Sequence, residues 1–164
     1  MHLRLALSTL LSFYISRGCS HFVLQIPTSL GYDDVNEATA PCDTFNPTDR
    51  SGTITNWTVG GYPVSVISTH SSVTWEYRVA KVSSPTVWTS LTPILTQTGT
   101  GHFCEPQIPG LGSASWLGVP AVFQVIQHAP DGALYQCAAI VFVAGGPTAK
   151  PAGCTNSTGI AAHW

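Results

Sequence analysis

An all-β sandwich is the fold this chain predicts, and three observations predict it. Helical periodicity is nearly absent from residue 21 onward, short apolar runs alternate with polar positions, and turn residues break the chain at close intervals. Phe22, Val23, Leu24 and Ile26 form a first strand, which Pro27 stops. Residues 31–41 are polar, carry Asp33, Asp34 and Glu37, and read as a loop with at most one helical turn. A strand is expected within 53–59, and after Gly60-Gly61 another within 62–69, on Val64, Val66 and Ile67. His70-Ser71-Ser72 reads as a turn. Val73, Trp75, Tyr77 and Val79 then make a period-two face, with Thr74, Glu76 and Arg78 pointing outward. Residues 83–120, rich in Pro, Gly, Ser and Thr, are expected to be mostly loops and short strands. Two longer apolar strands follow, 121–127 and 134–143, joined through Asp131-Gly132, a hairpin signal.

Residues 1–20 stand apart from this pattern. His2 and Arg4 precede an apolar run through Leu5, Leu7, Leu10, Leu11 and Phe13 to Ile15, and Gly18 and Ser20 supply small residues at the −3 and −1 positions of a cleavage site. The run is too short for a stable membrane anchor. We therefore expect a signal peptide over 1–20 and one domain over 21–164. That cut also removes Cys19 and leaves Cys42, Cys104, Cys137 and Cys154. An even set in an exported chain reads as two disulfides, with three pairings open. Asn56-Trp57-Thr58 and Asn156-Ser157-Thr158 are glycosylation sequons, whereas Pro47 disqualifies Asn46. Beyond residue 20 there are four basic residues against eight acids, a net charge of −4, with no basic patch for nucleic acid or an anionic membrane. The end, Gly159 to Trp164, lacks the apolar tail of a glycolipid-anchor signal, so the chain as it stands is expected to be secreted or to be a fragment.

Candidate chemistry lies with the histidines. A cut after Ser20 gives His21 a free α-amine, and amine and ring of one residue can chelate one metal ion. One further imidazole makes three nitrogens in a T, which suits the tetragonal preference of Cu(II). The apolar strand that begins at Phe22 would pin this terminus, where most termini fray. His70, at a strand-to-turn junction, is the best second ligand. His128 is expected in an exposed hairpin turn, His102 beside Cys104 in a structural role, and His163 in a disordered end. The four cysteines are too far apart for a zinc motif, and neither a Gly-x-Ser-x-Gly elbow nor a phosphate loop is present. Nothing argues for hydrolysis.

The start His21-Phe22-Val23-Leu24 with Pro27, Gly31 and Pro41-Cys42 resembles the fungal copper-acquisition-factor family. So do Gly61-Tyr62-Pro63-Val64 leading to His70, Gly101-His102-Phe103-Cys104, and Leu134-Tyr135-Gln136-Cys137-Ala138. Those proteins look like relatives of lytic polysaccharide monooxygenases that bind copper without the oxidative activity. The resemblance implies an immunoglobulin-like β-sandwich of the lytic polysaccharide monooxygenase-like type. It also implies a copper site from His21 and His70, and disulfides Cys42–Cys137 and Cys104–Cys154. The family usually adds an aspartate two residues after the Tyr-Gln-Cys cysteine. Here that position is Ala139, which leaves water, His102 or Asp131 to complete a site. Asp43-Thr44 also stands where the family leads one to expect glycines.

The function this implies is extracellular copper(II) capture or homeostasis at the fungal cell surface, with copper as the ion and a surface transporter or reductase as recipient. A copper-dependent enzyme that cleaves polysaccharides oxidatively is the second reading, with Trp57, Trp88 and Trp116 as sugar platforms. A family member that has lost its metal site is the third.

Overall fold

The structure is a computed structural model and describes residues 21–164; the leader expected over 1–20 lies outside them. The strands are β1 (Phe22–Ile26), β2 (Thr55–Thr58), β3 (Tyr62–Ser68), β4 (Ser72–Lys81), β5 (Thr89–Ser90), β6 (Leu95–Thr98), β7 (Gly101–Ile108), β8 (Pro120–Ala129), β9 (Gly132–Val143) and β10 (Ala161–His163). They form two sheets. The smaller runs β1-β3-β7 and the larger β10-β6-β4-β8-β9-β2, with β5 paired to β4. No helix is present among the described residues.

Period-two alternation builds the space between the sheets. Val73, Trp75, Tyr77 and Val79 of β4 all turn into the core, as do Phe22 and Leu24 of β1 and Ala138, Ile140 and Phe142 of β9. Aromatic rings tie the layers together: Phe22 meets Trp75 edge-on at 5.2 Å between centroids, and Trp57 meets Phe123 at 4.7 Å. The buried indoles keep their N–H groups satisfied, Trp57 donating to the Ile108 carbonyl and Trp75 to the Gln97 side chain. Trp57 is therefore core and unavailable as a sugar platform. Trp88 and Trp116 are half-buried and faced by the cations of Arg78 and Lys81.

Both disulfides pair as the resemblance implied, Cys42 with Cys137 and Cys104 with Cys154. The first staples the loop after β1 to the outer face of β9. Arg50 supports that loop from its far end by donating to the Ala121 and Ile140 carbonyls.

Three expectations change. The region expected to be mostly loops and short strands contains an eight-residue strand, β7, paired with β3 across one irregularity. The tail expected to be disordered adds β10 to the edge of the large sheet, with His163 opposite Thr96. His128 lies in β8 opposite Thr74 rather than in the turn, because the turn holds only Pro130 and Asp131 between the closing pair Ala129 and Gly132.

Asp43 occupies a left-handed backbone conformation, φ 61°, in the stretch where the resemblance led one to expect glycine. Its carboxylate repays this locally by accepting from the Asp33 and Thr44 amides, both at 2.8 Å. Asp43→Ala keeps the strain and loses both bonds, so it should lower unfolding free energy by about 2 kcal/mol. Asp43→Gly relieves the strain and should lose about half as much. Urea denaturation of both variants checks the order.

Candidate metal centre

β1 and β3 run antiparallel, with Phe22 opposite Ser68. Alternation of main-chain groups then turns His21 toward β3, where its carbonyl accepts from the Thr69 amide at 3.1 Å and its nitrogen donates to Thr69 Oγ1 at 2.8 Å. The Thr69 hydroxyl also donates to the His21 carbonyl. His21 is thus locked against the residue immediately before His70.

His70 sits in the short connection between β3 and β4 and is buried, at 8% exposure, rather than a surface turn residue. Its ring is oriented by a relay. Gln127 Nε2 donates to Ser68 Oγ, which turns Gln127 Oε1 toward His70 Nδ1 at 2.8 Å. The other ring nitrogen, Nε2, lies 2.8 Å from Asp131 Oδ1. A carboxylate only accepts, so this contact holds either a hydrogen on Nε2 or, in its place, a metal ion. An imidazole nitrogen and a carboxylate are a donor pair that a divalent metal takes.

A sequence profile decides the family. The profile described as "Copper acquisition factor BIM1-like" matches residues 19–159. This chain belongs to the BIM1-like copper acquisition factor family. It is 34% identical over 151 residues to an uncharacterised protein of Aspergillus fumigatus, covering 87% of this chain and 62% of that protein. It is 31% identical over 172 residues to the lytic polysaccharide monooxygenase-like protein X325 of Yarrowia lipolytica, covering 97% of this chain and 61% of that one. The chain spans about three fifths of the length of these relatives.

Within this BIM1-like fold the remaining candidates disperse. His102 on β7 pairs its Nδ1 with Gln25 at 3.2 Å, and His128 faces Glu76 at 3.4 Å. Of the two side chains named as replacements for the missing family aspartate, Asp131 reaches His70 and His102 stands with Gln25. Ala139 explains why nothing replaces it locally. It alternates with Ala138 and so points to the face of β9 that carries Cys137, away from β1. It also lies five residues along β9 from Leu134, the partner of Gln127, which is about 16 Å of strand. A carboxylate at 139 would not reach His70. Among the described residues, no three His, Cys, Asp or Glu side chains are gathered as ligands. Any three-nitrogen site here needs the main-chain nitrogen of His21. The sequons also separate: Asn56 is exposed on β2, and Asn156, exposed too, uses its Oδ1 to accept from the Cys104 amide.

The sequence reading missed Glu37, which is buried beside β1 at 1% exposure. Its carboxylate accepts from Gln136 Nε2 at 2.7 Å and lies 3.4 Å from the Phe22 amide. Desolvation pushes its pKa from 4.5 up to about 7, aided by Asp43 and Asp34 and opposed by the bonds from Gln136 and Phe22. A raised carboxyl pKa means the folded state holds a proton that the unfolded state has released. The associated stability is present below pH 4.5 and is lost as pH rises through about 7. Metal-free protein should lose about 2.5 kcal/mol from this group between pH 5 and pH 8. Denaturant titrations at both pH values check it, and Glu37→Gln should abolish that share of the difference.

Proposed function

We propose that the chain is an extracellular Cu(II)-binding protein that captures copper and passes it to a cell-surface transporter or reductase. Copper is the cargo. The α-amine and imidazole of His21 supply two donors, His70 Nε2 a third, and Asp131 a negative charge beside it. The single observation that carries this reading is the buried His70, held between Gln127 and Asp131 one residue along the chain from Thr69, which clamps the main chain of His21. Family membership supports copper as the metal.

The reading requires removal of residues 1–20, because an amide nitrogen ahead of His21 is a poor donor where a free amine is a good one. It also places the protein outside the cell, where Cys42–Cys137 and Cys104–Cys154 persist as disulfides. Asn56 and Asn156 are then candidate glycan sites.

Titrating Cu(II) into protein that begins at His21 should show one tight equivalent, and His70→Ala should weaken it on the order of 10- to 100-fold. Equal binding by the two forms would overturn the assignment of His70.

A further inference from the structure

β1 is an edge strand of the small sheet, so half of its main-chain groups face away from β3. The main-chain carbonyl of His21 faces β3; the Phe22 carbonyl and the Leu24 amide face away from it. An unpaired edge at this point would leave buried N–H and C=O groups without partners and let the terminus fray. The protein fills the gap with side chains. Gln136 on β9 accepts from the Leu24 amide at 2.9 Å and donates to the Phe22 carbonyl at 2.5 Å. Glu37 continues the ladder, its Oε2 facing the Phe22 amide while its Oε1 accepts from Gln136. The loop that carries Glu37 is itself tied to β9, the Tyr135 amide donating to the Glu37 carbonyl at 2.8 Å.

We propose that Glu37, acting through Gln136 and the Phe22 amide, is a positioning residue for the metal-binding terminus. The two side chains stand in for the neighbour strand that β1 lacks and hold the amide next to His21 at a fixed distance from β9. This rests on the copper reading above. Thr69 secures the inner side of the terminus and Glu37 the outer side, so His21 keeps one orientation relative to His70. The effect of Glu37 is transmitted through one peptide unit.

The test uses protein beginning at His21, as wild type, as Glu37→Gln and as Gln136→Leu, alongside a form with one extra residue ahead of His21. Without metal, amide exchange at Phe22 should accelerate at least about tenfold in both variants while the β8 amides stay protected. With Cu(II), both variants should bind about tenfold more weakly, and their electron paramagnetic resonance parameters at full occupancy should differ from wild type. A purely structural role would lower thermal stability and speed exchange but leave affinity and spectrum unchanged, and that result overturns the proposal. If the extended form binds weakly and both variants bind like wild type, only the role of Glu37 fails. If the extended form binds as tightly as the native one, the copper reading fails and takes this proposal with it.

Discussion

One extra residue ahead of His21 should weaken Cu(II) binding on the order of 10²- to 10⁴-fold. The added peptide bond turns the α-amine into an amide, so one donor is lost outright. The imidazole of His21 then binds alone, without the intramolecular advantage that a second donor on the same residue confers. The fold should not notice, because the His21 nitrogen donates to Thr69 Oγ1 through a hydrogen that an amide keeps. Isothermal titration gives the affinity and thermal unfolding gives the control: a large fall in the first with no change in the second is the expected pair. Equal affinities would remove the amine from the site and leave His70 and Asp131 as an ordinary histidine–carboxylate contact.

Replacing Cys42 and Cys137 together with Ser should cost about 4 to 5 kcal/mol of unfolding free energy. The bridge closes 95 residues, and freeing a loop of that size returns about this much chain entropy to the unfolded state. The same pair of changes leaves two hydroxyls where a buried disulfide stood, in a small apolar cluster with Ala80 and Val122. Opening Cys104–Cys154, which closes 50 residues, should cost somewhat less. Denaturant curves of the two double variants test the order. The first variant carries an added signature, because Cys137 adjoins Gln136: Phe22 amide exchange should rise with it.

The elements legible in the sequence were those whose burial follows a local rule. β1, β3, β4 and the β8–β9 hairpin each show apolar residues at period two or an Asp-Gly signal, and each formed, the hairpin with strands that run further into the turn than expected. β7 hid because Gly101, Glu105 and Pro106 break its pattern. It persists as an edge strand whose main chain pairs with β3, and an edge tolerates proline. β10 hid for the same reason, its three exposed residues contributing main-chain bonds alone. The site divides likewise. His21 and His70 were visible as residue types in suggestive places. Asp131 entered only as one of three stand-ins for the family aspartate, and Gln127, Glu37 and Gln136 were not visible at all, since each acts on a residue 15 or more positions away. Buried glutamines carry no sequence signal; only their partners give them a role.

The turn at Pro130-Asp131 gives the two sides of His70 unequal standing. Gln127 holds one ring nitrogen from inside the sandwich, whereas Asp131, at 56% exposure, meets the other from the solvent side. An ion seated there would have a front door and a back wall. An incoming ligand from another protein would displace the carboxylate first and the imidazole last. The order of hand-over would be set by architecture, and the hairpin tip would be the face on which any recipient must dock.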